Sequence, residues 1–178
     1  MTVEALKPDM TVEERAGWFG YCHEASLAEI VFMVENMSES CWDEIRSTNC
    51  IKTKREYLVE MLRGNNAIYC RSHDNEPRIL GGIVSESPGV GTIWAISTDK
   101  ATIKDWIFTT RGLNLLITSA FSNGWHRVQA FSLAHRPKSH RWLTGKRINM
   151  KQEAVLSGYF KDGFDVLLFS VLKGEYNG

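Results

Sequence analysis

Apolar residues in the first third of the chain recur at intervals of three and four, which is the spacing of one face of a helix. Two capping boxes, Ser26-x-x-Glu29 and Thr53-x-x-Glu56, indicate where such helices begin, because each pairs a hydroxyl with a carboxylate three residues later. The pattern predicts a short aromatic strand and then three helices, at 18–22, about 26–37, 38–46 and 53–64. The N-terminal third is therefore expected to be mostly helical.

Beyond residue 66 the apolar residues run together or alternate, as they do in strands. The turn-forming cluster 72–77 separates the first two runs and predicts a hairpin. Helical spacing returns at 101–122, after Thr98 and Asp99 as a cap, and predicts the longest helix of the protein. The remaining predicted elements are strands at 67–70, 78–85, 92–97 and 127–133, a short helix at 139–143, and strands at about 148–155 and 164–172.

The order of these elements predicts the fold class. Helices first, then three strands, a long helix, a strand, a short helix and a closing hairpin form a mixed α+β order rather than a regular βα alternation. A chain of 178 residues fits a single hydrophobic core. We interpret the polar residues 1–17 as an N-terminal extension and 18–174 as one domain.

Charge and composition exclude several classes of function. The 21 basic and 21 acidic side chains cancel, so overall charge gives no reason to expect attraction to nucleic acid or a membrane surface. No stretch approaches the roughly 20 apolar residues that span a bilayer, and the N-terminus lacks the pattern of a leader peptide. The four cysteines form no C-x-x-C pair, and we interpret them as reduced thiols. The five histidines show no metal-binding spacing, so we expect a cytoplasmic protein without a metal site.

The segment from Arg136 to Leu143 resembles a motif of the GNAT superfamily of N-acetyltransferases. In that family an asparagine-x-x-serine-x-arginine-x-leucine segment follows the fifth strand, and Arg136 replaces its asparagine here. The order of the predicted elements is similar as well. The resemblance implies a mostly antiparallel central sheet flanked by helices, with acetyl-CoA as cofactor. The residues that it implies at the cofactor are Trp94, Ile96, Arg136, Ser139 and Arg141, with the strand around Trp94 offering backbone groups to the pantetheine arm.

Two other stretches, 28–44 and 91–99, resemble GNAT-like proteins of tailed bacteriophages, including the internal virion proteins of short-tailed phages. This resemblance implies a protein of the infected cell's cytoplasm or of the virion, with virion proteins as partners. GNAT enzymes carry a glycine loop after the fourth strand whose N–H groups hold the CoA pyrophosphate. Residues 98–106 contain no glycine. The alternative hypothesis is therefore a non-catalytic virion structural or accessory protein that retains the fold without a cofactor.

Candidate chemistry lies in two places. Residues 135–147 contain five cations and no carboxylate, which is typical either of an anion site, for CoA phosphates or nucleic acid, or of a solvated basic turn. Elsewhere we expect no contact with nucleic acid. An acetyltransferase also needs a base for the amine and an acid for the leaving thiolate. The candidates near predicted strand ends are Glu86, Asp99 and His126 as bases and Tyr159 as the acid.

One structural property separates the enzyme from the interaction protein. The enzyme needs a pocket between the strands that contain Trp94 and Gln129. If these strands splay apart, their unpaired backbone groups can bind a pantetheine arm; if they pair along their whole length, that site is lost.

Overall fold

The computed structural model describes residues 22–48, 51–63, 67–73, 75–160 and 162–176. The predicted extension 1–17 and all but the last residue of the predicted strand 18–22 lie outside them. Within the described residues there are five helices: α1 (Leu27–Asn36), α2 (Glu39–Thr48), α3 (Lys54–Arg63), α4 (Ile103–Ser122) and α5 (Pro137–Leu143). The same described ranges contain seven strands: β1 (His23–Glu24), β2 (Ala67–His73), β3 (Glu76–Ser87), β4 (Val90–Ser97), β5 (Arg127–Leu133), β6 (Lys151–Leu156) and β7 (Val166–Leu172).

The strands form one sheet in the order β1-β2-β3-β4-β5-β7-β6. All neighbours are antiparallel except β4 and β5, which run parallel at the centre. The sheet thus consists of an antiparallel half, β1 to β4, and a second antiparallel half, β5 to β7. The short parallel contact between β4 and β5 joins the two halves.

Alternate residues of the strands pack against helices on opposite faces of the sheet, as the two-residue period of a strand requires. Ile96 of β4 belongs to a buried cluster with apolar residues of α1, α2 and α3. Its neighbour in the same strand, Ile93, belongs to a second cluster with α4 and α5, in which Ile117 and Phe169 are almost fully buried. Each such side chain contributes about 1.5–3 kcal/mol by leaving water.

From the first helix onward the element order predicted from the sequence is confirmed, as is the α+β class. Cys22, the one described residue of the predicted strand 18–22, is not in a strand, and β1 follows at His23–Glu24. The observed start of one strand differs from the predicted start because of the backbone conformation before it. Strand β6 begins at Lys151 rather than 148, because Asn149 has a φ of 56° in the turn that precedes it. The described residues include no helix that is both long enough and apolar enough to cross a membrane.

Candidate active site

Strands β4 and β5 pair only at their beginnings. Their register contains three pairs and ends at Thr92 and Gln129. Beyond that point each strand keeps its outer neighbour: β4 stays paired with β3 as far as Ser97, and β5 stays paired with β7 as far as Leu133. The two strands therefore separate over the second half of their lengths, as the enzyme hypothesis requires.

Backbone polar groups of β4 face this gap. The Ser97 carbonyl accepts a hydrogen bond from the Ser38 N–H at 2.8 Å, so it points away from β3. Because the direction alternates along an antiparallel strand, the amide and carbonyl groups of Ile93 and Ala95 lie on the same edge as that carbonyl. The backbone groups of Trp94 and Ile96 point towards β3, while both side chains lie on the face of α1 to α3.

The gap opens into a cavity of about 1240 Å³. Most small-molecule sites enclose roughly 300–1,000 Å³, so the space accommodates a long ligand. One wall is fixed where α5 meets α4. The Trp142 Nε1–H donates to Thr110 Oγ1 at 2.8 Å, and the rings of Trp142 and Trp106 form a T-shaped pair with centroids 5.0 Å apart. This contact holds the basic segment in place at the mouth of the cavity.

The cavity brings most of the predicted site residues together. Its lining includes Trp94, Ile96, Arg136, Ser139, Arg141, Glu86 and Tyr159. Two other candidates lie outside it. Asp99 is exposed in the turn between β4 and α4, and the His126 N–H binds the Gly89 carbonyl at the opposite end of the strands.

Arg136 is engaged by the protein itself. Its guanidinium donates to the Ser40 carbonyl at 3.0 Å and to the Glu44 carboxylate, and Glu44 also accepts from the Leu133 N–H at 3.5 Å. These contacts connect α2 to the end of β5 across the cavity and compensate the charge of Arg136. No sequence pattern indicates the role of Glu44, because it lies 92 residues from its arginine partner.

A second polar network lies where the two strands are still paired. The Gln129 amide donates to Thr92 Oγ1 at 3.3 Å, and its oxygen accepts from Arg127 Nε at 2.9 Å. The Arg127 guanidinium also donates to the Glu153 carboxylate, which accepts a further hydrogen bond from the Ser170 hydroxyl at 2.6 Å. Hydrogen bonds from Arg127 and Ser170 lower the pKa of the Glu153 carboxyl. The network ties β4, β5, β6 and β7 together at the closed end of the gap.

Aromatic rings form another part of the cavity wall. Tyr159 stacks on Phe131 of β5 with ring centroids 6.2 Å apart, and it forms a T-shaped pair with Phe160 with centroids 5.0 Å apart. Tyr159 is 55% exposed, so its hydroxyl can be reached from solvent. The loop between β6 and β7 thereby places a phenol ring against Phe131 in the second half of β5.

A carboxylate of the protein stands at the N-terminus of α4, where the GNAT resemblance implies a phosphate cradle. Asp105 is fully buried and accepts from the Thr102 N–H at 2.9 Å, the Thr102 hydroxyl at 2.8 Å and Arg71 Nε at 3.3 Å. Burial alone would raise the pKa of the Asp105 carboxyl, but these hydrogen bonds and the Arg71 charge lower it below its ordinary value. A phosphate at this helix end would face that negative charge.

Cations of the cavity lining lie instead on α5 and in the turn that follows it. Lys138, Arg141 and Arg147 line the cavity, and no ion pair within the described ranges involves any of them. They make this wall the positive side of the cavity.

Comparison with known proteins identifies the fold. The sequence matches no family model and no curated protein. A solved putative acetyltransferase from Salmonella typhimurium with its cofactor acetyl-CoA matches with a TM-score of 0.66 at 12% identity, over 88% of this chain and 95% of that one. A spermidine N-acetyltransferase from Vibrio cholerae matches with a TM-score of 0.65 at 11% identity, over 88% and 97%. A GNAT-family acetyltransferase from Bacillus anthracis matches with a TM-score of 0.65 at 14% identity, over 86% and 95%.

These likenesses establish that the chain has the fold of the GNAT acetyltransferases, as the sequence predicted. At identities this low they carry no information about the reaction. The bacteriophage part of the resemblance stays a prediction.

Proposed function

We propose that this protein is an acyl-CoA-dependent N-acyltransferase, with acetyl-CoA as the donor. The observation that carries the proposal is the separation of β4 from β5 after three register pairs. Unpaired backbone edges inside a protein are costly unless a partner satisfies them. A pantetheine arm contains two amides and can serve as that partner.

The residues along the gap fit such a ligand. The Ile93 carbonyl and both backbone groups of Ala95 lie along one side, since the Thr92–Gln129 register pair takes up the Ile93 amide. The buried Ser132 hydroxyl, which lines the cavity, has no hydrogen-bond partner among the described residues. The glycine cradle for the pyrophosphate is missing, and Asp105 stands at the helix end. In this proposal Lys138, Arg141 and Arg147, on α5 and the turn after it, hold the phosphates, with Ser139 beside them.

When bound, acetyl-CoA supplies an activated thioester to an amine acceptor. The chain's own residues must then remove a proton from the amine and return one to the leaving thiolate. We assign these roles to Glu86 and Tyr159, because both line the cavity. Asp99 lies outside the lining, which makes it the weaker candidate for the base.

Calorimetric titration with acetyl-CoA, and separately with CoA, tests the proposal. We expect one-to-one binding in the micromolar range and a loss of about 10- to 150-fold in affinity for Arg141→Ala, since one charge-assisted contact to a phosphate contributes about 1.5–3 kcal/mol. Arg55→Ala is the matched control, because Arg55 is an exposed arginine of α3 outside the cavity lining. Absence of binding at millimolar ligand, or equal losses in both variants, would contradict the proposal.

An amine panel follows if the ligand binds. Release of free CoA thiol in the presence of an amine, together with an acetylated product by mass spectrometry, would establish transfer. Glu86→Gln is expected to slow transfer while leaving acetyl-CoA affinity unchanged, because the proposal assigns Glu86 to the acceptor amine rather than to the phosphates.

A second candidate is a non-catalytic virion structural or accessory protein. Two observations favour a protein without cofactor. The Asp105 carboxylate already occupies the positive end of α4, and the charge of Arg136 is already paired with Glu44. On this hypothesis neither acetyl-CoA nor CoA binds, and the chain copurifies with assembled virions instead of staying in the host cytoplasm. Titration and virion sedimentation therefore give opposite results for the two functions.

A further inference from the structure

Three side chains with metal-binding atoms meet beside strand β1. The ligand atoms of His23, Glu29 and Cys70 all lie within 4.8 Å of one another. None of the three residues lines the cavity between β4 and β5. The acyltransferase hypothesis therefore leaves this cluster unexplained.

The fold brings the three together from separate elements. His23 lies directly opposite Cys70 in the antiparallel register of β1 and β2, and opposed residues place their side chains on the same face of a sheet. Glu29 reaches them from the first turn of α1, where Ser26 binds its other carboxylate oxygen at 2.9 Å. The capping box thus fixes the carboxylate that faces the imidazole.

The chemistry of the cluster fits a zinc-class divalent cation. Imidazole nitrogen, carboxylate oxygen and thiolate sulfur are the three ligand types that Zn²⁺ uses in proteins. A carboxylate and a thiolate together carry two negative charges, which match a divalent ion. His23 Nε2 and Glu29 Oε1 are now 2.6 Å apart and would separate by about 1 Å, because tetrahedral ligands lie roughly 3.3–3.8 Å from one another.

One side of the cluster is buried and the other is open to solvent, so an ion can enter from the open side. Cys70 is fully buried, whereas the His23 side chain is 41% exposed. The thiolate would therefore form the floor of the site and the imidazole its entrance. The fourth coordination position would face solvent on the side of His23.

We propose that His23, Glu29 and Cys70 bind a zinc-class divalent cation that ties β1 to β2 and to the first turn of α1. Strand β1 has two residues and two register pairs, so it has little other support. Spacing in the sequence could not reveal the site, because Cys70 lies in β2, with two helices and their connections between it and the helix that contains Glu29. The alternative is an ordinary contact between His23 and Glu29 above a buried thiol.

Titration of the reduced, chelator-treated full chain with Co²⁺ separates these possibilities. Tetrahedral Co²⁺ absorbs strongly in the visible region, and a bound thiolate adds a charge-transfer band in the near ultraviolet. We expect both bands with one equivalent of Co²⁺ and their loss when Zn²⁺ is added. Absence of the thiolate band at millimolar Co²⁺ would overturn the proposal.

Single substitutions test whether Co²⁺ binds at these three residues. Cys70→Ser should abolish the thiolate band, while Cys41→Ser, which changes another buried cysteine of the same apolar cluster, should retain it. His23→Gln and Glu29→Gln alter partly exposed side chains, and glutamine preserves the capping box, so both should fold and bind Co²⁺ at least about 10-fold more weakly. A band that survives in Cys70→Ser, or an unchanged affinity in both glutamine variants, would contradict the assignment.

Discussion

At the scale of single residues, the protein's own charges occupy positions where ligand charges were expected. Asp105 stands at the N-terminus of α4 and Glu44 binds Arg136. Both contacts connect parts of the chain that are distant in sequence, since Arg71 reaches Asp105 over 34 positions. These pairs therefore contribute to the fold as well as to the electrostatics of the cavity.

Replacement of Asp105 by asparagine should destabilise the protein in a pH-dependent way. At pH 7 we expect a loss of about 2–4 kcal/mol, because Arg71 would lose its buried partner and the capping interactions would weaken. The folded pKa of Asp105 lies below its ordinary value of 3.8, so the carboxylate contributes its full stabilisation above that pH and loses it as the pH falls through the folded pKa. The difference between the two proteins should therefore shrink in acid.

Urea unfolding at pH 7 and near pH 3 measures this effect. Asp43→Asn serves as the control, because Asp43 pairs with Arg46 on an exposed face of α2 and such pairs contribute less than about 1 kcal/mol. Equal losses in the two variants, or a difference independent of pH, would show that Asp105 has no special role.

At the scale of elements, β4 has two chemically different edges after Thr92. One edge is paired with β3, and the other faces the cavity. A ligand in the gap would use only the second edge. The alternation along a single strand is therefore the feature on which the proposed binding depends.

Amide hydrogen exchange should reveal this alternation. Without ligand, the amide of Ala95 should exchange about 10-fold or more faster than those of Trp94 and Ile96, which bind β3. Acetyl-CoA should slow only the Ala95 amide, and the Trp94 and Ile96 amides provide an internal control. Uniform protection along β4 in the free protein would mean that the strand edge is already satisfied.

At the scale of the whole molecule, the two halves of the sheet meet at Gly91 and the residues around it. A Cβ atom added at Gly91 would lie 2.0 Å from Trp125 Cζ3 and 3.0 Å from Ile83 Cδ1. Trp125 is itself almost fully buried just before β5. The absence of a side chain at Gly91 thus allows the indole to cover the junction.

Gly91→Ala should consequently destabilise the protein by roughly 1–3 kcal/mol through overpacking. Gly174→Ala is the control, because a Cβ there meets no atom within 4 Å, and we expect a change within about 0.5 kcal/mol. Thermal and urea unfolding measure both variants. A neutral Gly91→Ala would show that Trp125 moves aside without cost.

The sequence predicted those parts of the molecule that have a local pattern. The periods of helices and strands indicated the element order, and the motif around Ser139 and Arg141 pointed to the wall of the cavity. Contacts between distant segments had no such signal. Glu44 with Arg136 and His23 with Cys70 depend on how α2 and β1 pack in three dimensions, so only the structure could show them.

The Ser38 and Glu44 contacts at the gap also bear on self-association. Exposed strand edges can pair with other chains and start aggregation. The Ser38 N–H covers the last carbonyl of β4, and the Glu44 carboxylate covers the last amide of β5. The connection between α1 and α2, together with Glu44 of α2, therefore blocks the end of each open edge, where the strand of a second copy would otherwise begin to pair.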